Sequence, residues 1–518
     1  MSRAGSVRRL YRTASELQGA KRIHCRGKSF SYLDLTNRAE ALAGTLGPLL
    51  SRYRNGGADQ PRVAYCVPET FPYLVAQFSS WMSSATAVPI HPKFPAAETD
   101  HVVGDSDPSA IICTESTKPT SEMVAKSRSI PLVEISEDDG AVVGKRTPST
   151  GPQDISQAGD EAMLIYTSGT TGKPKGVVWT HKMVDYQAET MSTAWGWKRS
   201  DRILLFLPLD HVHGIMNIAG CAVWNGAELD MMEVFDQQEA WSRIRSSSPP
   251  TVFMAVPTVY ARMIRAFEQS PDQKSREAAS RLRLCVSGSA ALQTTYFRKW
   301  EEITGQRILE RYGMSEVGMA LSNPYEEERR EGWVGKAFPG VQTRILDPET
   351  GARQLERGAA SGELLLSGPG VFTKYWRNDE ATQKSFTDDG FFKTGDIVER
   401  DSEDWFRILG RKSIDIIKSA GFKISALEVE RQLLEHENIA EVAVVGLPSE
   451  EFGQVVGAMI VLEDMSKPMS ERDLLEWSAA RIARFKVPRV WKYEAKIPRN
   501  DMGKIVKKEV VEMMIRDL

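Results

Sequence analysis

The stretch Tyr166-Thr-Ser-Gly-Thr-Thr-Gly-Lys-Pro-Lys-Gly176 decides how this chain reads. It follows an apolar run, Ala162-Met163-Leu164-Ile165, with the character of a buried strand. Its eleven residues hold three Gly, three Thr, one Ser and two Lys. Glycine lets backbone approach a ligand closely, and hydroxyl and backbone N–H groups donate to anionic oxygens. Lys173 and Lys175 add positive charge, so the stretch is a phosphate-cradling loop. It is not a Walker A loop, which needs four residues between its glycines and a Ser or Thr after the Lys. Here two residues separate Gly169 from Gly172, and Pro174 follows Lys173. A plain solvated turn has no need of so many donors.

Composition narrows the classes. A chain of 518 residues exceeds one ordinary core, so at least two domains are expected. An apolar fraction of 41% with 26% charged residues is that of a globular protein. A net charge of −3 argues against a general nucleic-acid binder. No apolar run approaches the roughly 20 residues that span a bilayer. Five scattered cysteines without a CxxC pair point to reduced thiols inside the cell, and seven histidines show no metal-ligand spacing. The N-terminus carries Arg3, Arg8, Arg9 and Arg12 before its first acid, Glu16, and reads either as a short mitochondrial transit segment or as a frayed basic end. Location is therefore expected to be mitochondrial or cytoplasmic. The last residues, Arg516-Asp517-Leu518, are not a peroxisomal signal. Nothing in the pattern specifies an oligomeric state.

Outward from the loop, helical and strand patterns alternate. Tyr32 to Leu50 and Phe71 to Ser80 read as helices; Arg62 to Val67, Ala85 to Ile90 and Ser109 to Cys113 read as strands. Such alternation predicts parallel sheets covered by helices. Residues 115 to 160 are rich in Ser, Thr, Asp, Gly and Pro and read as irregular. Strands are expected at Leu204 to Pro208, running into Asp210-His-Val-His-Gly214, at Thr251 to Val256, and at Arg281 onward, ending in Ser287-Gly-Ser289. In α/β sheets ligands bind where strands end. A carboxylate in Glu310-Arg-Tyr-Gly-Met-Ser-Glu316, opposite a phosphate loop, calls for a bridging cation, and Mg²⁺ takes one or two carboxylates plus phosphate oxygens. Gly-punctuated β sequence follows from 332 to 368. The segment Asp389-Gly-Phe-Phe-Lys-Thr-Gly-Asp396 comes next and ends on a carboxylate. The last hundred or so residues alternate strand and helix again.

These motifs, in this order, resemble the adenylate-forming superfamily, which contains acyl-CoA synthetases, luciferases and peptide-synthetase adenylation domains. The likeness runs from about residue 30 to the C-terminus. It implies an α/β fold: a large N-terminal domain of parallel sheets covered by helices plus a β region, over 1–409, and a small mobile α+β domain over 410–518. It also implies that ATP is held by Thr167, Ser168, Gly169, Thr170, Thr171, Gly172 and Lys173, with Tyr312 beside the base, Ser315 on the α-phosphate, Asp396 on the ribose, Arg411 on ribose or phosphates, and Glu316 on Mg²⁺. Lys504, in Pro498-Arg-Asn-Asp-Met-Gly-Lys504, matches the family's catalytic lysine, which serves the first of two half-reactions. Catalysis is assigned to Lys504, Glu316 and His211. The hairpin with Gly421 and Lys423 would admit the pantetheine arm of CoA, and the pivot residue falls on Ser413. His211 matches the family's aromatic-His-x-x-Gly segment, where Asp210 departs from the usual aromatic or His.

Arg283-Leu-Cys-Val-Ser-Gly-Ser, the Glu310 segment and the Lys504 loop are similar to those of malonyl-CoA synthetases. That likeness puts the distal carboxylate of a dicarboxylic acid on Arg283, with His211, His213, Ser287 and Met314 lining the acid pocket. A guanidinium suits a second carboxylate, which an apolar acyl pocket would reject. The reading is thus a malonate–CoA ligase using Mg²⁺, ATP and CoA, with methylmalonate as a second acid. The alternatives are a ligase for a fatty acid, oxalate or succinate, an enzyme loading a carrier protein, a luciferase-like oxygenase, or an inactive binding protein.

Overall fold

A computed structural model describes residues 5–17, 19–54, 60–144, 161–167, 174–347, 358–464, 466–467, 469–499 and 504–516. Two sheets carry the larger part. One orders the strands Leu132–Glu134, Ala110–Cys113, Arg62–Cys66, Thr86–Ile90, Glu161–Thr167 and Lys175–Thr180, parallel except for the last. The other is parallel from Leu309–Met314 through Leu284–Ser287, Val252–Ala255, Arg202–Leu205 and Glu228–Met231 to Lys21–Cys25, with antiparallel strands at both edges. Arg62–Cys66 and Thr86–Ile90 are buried along their whole length, the continuous pattern of a parallel strand covered on both faces. The helix Phe71–Met82 is buried all round and contacts strands of both sheets, so the two share one core.

An antiparallel sheet of Gln342–Leu346, Ala360–Ser367, Phe392–Arg400 and Phe406–Arg411 follows. The chain then enters a C-terminal sheet, in which the hairpin Ile416–Ser419 and Phe422–Ser425 joins Gly453–Leu462, Ile439–Ser449 and Val490–Tyr493. Its apolar clusters, one around Ile424, Val429 and Ile460 and one around Leu447, Met459 and Met514, are separate from the large core. Two bodies with their own cores fit the α/β reading with a small α+β unit.

Three sequence expectations are corrected. Of the basic start, Gly5–Leu17 is not frayed but an amphipathic helix with Val7, Leu10 and Ala14 in the core. It is tied at Gly5 N to Asp185 (3.1 Å) and at Arg9 Nε to the Trp224 carbonyl (2.6 Å). Residues 115 to 144 are not all irregular, since Lys118–Arg128 is a helix and Leu132–Glu134 an edge strand. That helix buries only Ser121, Val124 and Ala125, too thin an apolar stripe to read from sequence. Finally, the strand expected to run into Asp210–Gly214 stops at Leu205, and a π-helix spans His213–Gly220.

Candidate active site

The phosphate loop connects two antiparallel strands. The ladder of Glu161–Thr167 with Lys175–Thr180 ends at the pair Thr167 and Lys175. Ser168, Gly169, Thr170, Thr171, Gly172 and Lys173 lie outside the described residues. What flanks them is anchored to the Glu310–Glu316 segment: Trp179 Nε1 donates to the Ser315 carbonyl at 2.8 Å, and Gln187 Nε2 to the Val317 carbonyl at 3.1 Å. The buried Glu316 carboxylate accepts from the Tyr375 hydroxyl at 2.9 Å, and Lys175 Nζ lies 4.5 Å from the centre of the Tyr375 ring. Glu316 and the cationic end of the loop therefore face one place.

Around Asp396 the residues expected on the ribose side converge. Its carboxylate accepts from the Tyr312 hydroxyl and pairs with Arg411 Nε at 2.9 Å. Burial raises the Asp396 carboxyl above the usual range, and Arg411 works against that rise. Lys504 opens beside this pair. Desolvation in the crevice holds its ammonium below the usual lysine range, and the neighbouring Arg411 and Arg311 push it the same way. A lysine held among cations is poised to take an anion.

A third group sits beyond Lys504. Arg311 is 3% exposed, and its Nε and Nη2 have no hydrogen-bond partner among the described residues. Burial pushes its guanidinium down to about 9. A side chain begun at Gly288 would stand 2.5 Å from the Arg311 guanidinium carbon, so only glycine lets that plane lie on the turn. The Ser287 hydroxyl, both His213 ring nitrogens, both amide atoms of Asn217 and Asp210 Oδ1 are likewise buried without partners. Burial, reinforced by Arg311, holds His213 well below the usual imidazole range, hence neutral. His211 lies 3.7 Å from Asp210, and burial lowers it, with Asp210 opposing and Lys504 adding to the fall. The π-helix supplies His213 and Asn217 from one wall, as such helices do at functional sites. Gly214 permits it, for any Cβ there would meet the Pro208 carbonyl at 2.3 Å. Buried polar groups are normally paired, so a buried guanidinium with unpaired N–H groups, beside an unpaired hydroxyl and imidazole, leaves room for a polar ligand.

Arg283 does not belong to this cluster, and its expected role is corrected. It precedes the strand Leu284–Ser287, roughly 13 Å along the chain from Ser287 at about 3.3 Å per residue. Its fork is already filled: Nε donates to Asp201 at 2.7 Å, Nη2 to the same carboxylate and Nη1 to the Trp195 carbonyl at 3.1 Å, with the Tyr325 ring 5.3 Å away. The cation beyond the strand's C-terminal end, Arg311, is the one the sequence reading passed over. Its signal was a charged residue inside a strand whose first three positions are buried. Asn217 and Tyr375 were also missed, since their roles depend on the π-helix and on a distant segment. Met314 is half-buried, with its sulfur 3.8 Å from the Tyr312 hydroxyl. Gly421 is at a hairpin tip with φ +82° and nothing within 4 Å of an added Cβ, so it stands apart from this cluster, and Lys423 is on the following strand.

Comparison with known proteins shows the family. The AMP-binding enzyme family matches residues 10–376, and the AMP-binding enzyme C-terminal domain matches 428–504. The mitochondrial malonate–CoA ligase of Homo sapiens is 41% identical over 485 residues, covering 88% of this chain and 83% of that protein. ATP-bound MatB from Rhodopseudomonas palustris superposes with a TM-score of 0.85 at 30% identity, covering 99% of both chains. A malonyl-CoA ligase in a ternary product complex with methylmalonyl-CoA and AMP superposes with a TM-score of 0.64 at 33% identity, covering 92% of this chain and 96% of that one. The chain belongs to the AMP-binding enzyme family.

Proposed function

We propose that the protein is an ATP-dependent malonate–CoA ligase, with methylmalonate as a second acid. The observation that carries the acid assignment is the buried Arg311, its Nε and Nη2 unpaired among the described residues, lying against the Ser287-Gly288 turn and within electrostatic reach of the unpaired His213. A dicarboxylate supplies what this guanidinium lacks, in the bidentate geometry it prefers. Its second carboxylate then lies toward Lys504 and the nucleotide side.

In the first half-reaction that carboxylate attacks the α-phosphorus of ATP. A carboxylate oxygen–phosphorus bond forms, the bond to the bridging oxygen breaks, and pyrophosphate leaves. The reactants repel each other, so positive charge must be in place beforehand. Lys504 supplies it between the attacking carboxylate and the α-phosphate, Asp396 and Arg411 hold the ribose, Tyr312 and Ser315 flank base and phosphate, and 167–173 cradle the phosphates. Glu316 fits Mg²⁺, because one oxygen is held by Tyr375 and a hard carboxylate can add to phosphate oxygens. When bound, the ion neutralises phosphate charge. In the second half-reaction the CoA sulfur bonds to the acyl carbon, the acyl–phosphate bond breaks, AMP leaves and the thiol proton is released. Gly421 and Lys423 serve the pantetheine arm, and the chain turns near Ser413, so that the small body beyond it moves between the steps. The higher TM-score to an ATP-bound relative than to a thioester product complex supports a first-step arrangement here.

No described helix is long and apolar enough to cross a membrane. The vertebrate relatives' names make the mitochondrion the compartment to test by fractionation. The function is tested by incubating purified protein with MgATP, CoA and malonate and identifying products. Malonyl-CoA, AMP and pyrophosphate in equal amounts are expected; ADP and phosphate, or AMP without thioester, would remove the assignment.

A further inference from the structure

The hinge carries a buried charge group that the two-step chemistry does not use. Up to Lys412 the chain is fastened to the large body: Arg411 pairs with Asp396, Lys412 N donates to the Gly395 carbonyl at 2.9 Å, and Lys412 Nζ reaches Glu363 at 3.1 Å. Three residues later stands Asp415, 9% exposed. One of its oxygens accepts the Arg411 amide at 2.9 Å; the other pairs with Lys507 Nζ at 2.6 Å. Lys507 also meets Glu430 at 2.8 Å, and Glu430 accepts the Val444 amide at 2.8 Å. Burial opposes charge on Lys507, but Glu430 and Asp415 more than offset it, and the ammonium is held above the usual lysine range. The pair is made room for by Gly410, where a Cβ would stand 2.4 Å from the Asp415 Cβ.

Lys507 begins the helix Lys507–Ile515, whose Val510 and Met514 are buried in the small body. It comes three residues after Lys504. On the other side of that loop, Arg499 and Ile505 form a bridge, and Val506 N donates to the Pro498 carbonyl at 3.0 Å. The base of the lysine loop is thus closed, and a buried ionic tether runs through Lys507 to Asp415, which also accepts the Arg411 amide at the end of the strand Phe406–Arg411. A buried ion pair adds little net stability but fixes geometry, and leaving one partner unpaired is costly.

We propose that Asp415 is a positioning residue for the adenylate-forming step: it clamps the Lys504 loop, through Lys507, to the Arg411 end of the large body and so places the Lys504 ammonium beside Asp396. This rests on the function proposed above. The clamp spans the pivot, so it belongs to one arrangement of the two bodies and serves the step that uses Lys504.

The test separates the half-reactions in full-length protein. Asp415→Asn keeps the acceptor for the Arg411 amide and removes the charge that holds Lys507. Malonate-dependent ATP–pyrophosphate exchange is expected to fall by about a hundredfold, the scale of a 1 Å misplacement. Thioester formation from chemically prepared malonyl adenylate and CoA is expected to stay within about threefold, a change worth less than 1 kcal/mol. In a Lys504→Ala background the same substitution should lower exchange no further, because residues acting as a unit are not additive. Lys507→Arg should restore exchange lost in Lys507→Met; this pair decides the matter if Asp415→Asn does not fold. Equal losses in both half-reactions, an additive loss on Lys504→Ala, or no rescue by Arg would overturn the proposal. Wild-type exchange with malonate is the control: if another acid drives it, malonate fails and the comparison runs on that acid. If no acid drives it, the role of Lys504 and this clamp fall together.

Discussion

Replacing Arg311 by Met should abolish recognition of a second carboxylate while leaving the fold intact. A bidentate guanidinium–carboxylate contact contains two hydrogen bonds to charged groups, each worth about 1.5–3 kcal/mol, so about 3–6 kcal/mol of binding is at stake. If the contact persists in the transition state, kcat/KM for malonate falls by roughly 10² to 10⁴-fold. Stability should not fall with it. Arg311 lacks a protein partner for Nε and Nη2, and burial already disfavours its charge, so an apolar chain of similar length removes a desolvation cost. The assay is pyrophosphate release with malonate and with propionate, which has a methyl group where malonate has its second carboxylate, alongside a thermal melt. Malonate activity should collapse, propionate activity should hold or rise, and Tm should not drop. Equal losses on both acids, or unchanged malonate kinetics, would refute the receptor reading.

Arg283→Ala should behave in the opposite way, because it strands Asp201 (2% exposed) without its cation. A loss of about 3–5 kcal/mol in unfolding free energy is expected, with no selective change between malonate and propionate; a selective rise in the malonate KM at unchanged stability would return the substrate role to Arg283. Lys504→Ala should cut acid-dependent pyrophosphate release by at least about a hundredfold, and near-normal release would end its assignment. The depressed Lys504 must be protonated to act, so wild-type adenylation should decline with rising pH below the usual lysine range; a profile flat through that range would contradict it. Glu310, pushed up to about 8 by burial, keeps its proton when folded and loses it when unfolded, so stability should fall as pH rises from about 4.5 to 8. Glu310→Gln keeps an acceptor for the Gly332 amide (2.6 Å) and should flatten that slope in denaturant titrations.

Much of the fold was legible because its signals are local. Arg62–Cys66 and Thr86–Ile90 are mostly apolar runs, and Phe71–Met82 is mostly apolar and buried all round. The grouping of Tyr312, Glu316, Asp396 and Arg411 was legible as well, since each sits in a compact motif that the fold brings together. The polar cluster proposed to take the acid was not. Arg283 stands just before one strand and Arg311 within its neighbour, and a sequence does not say which strand end faces a ligand. The deciding facts are an acid 82 positions away, Asp201, and a wall made by a π-helix, whose period matches no pattern searched for. The Gly5–Leu17 helix was hidden for another reason: its arginines lie among its core residues in sequence and separate from them only once the helix is formed.

The most direct measurement is AMP formation by the purified wild-type protein with MgATP and CoA across malonate, methylmalonate, succinate, oxalate, propionate and octanoate. Malonate should lead, methylmalonate should follow, and propionate should trail malonate by roughly a hundredfold or more in kcat/KM, the worth of one bidentate carboxylate contact. A monocarboxylate in the lead would contradict the Arg311 receptor, and the absence of AMP with every acid would contradict the ligase itself.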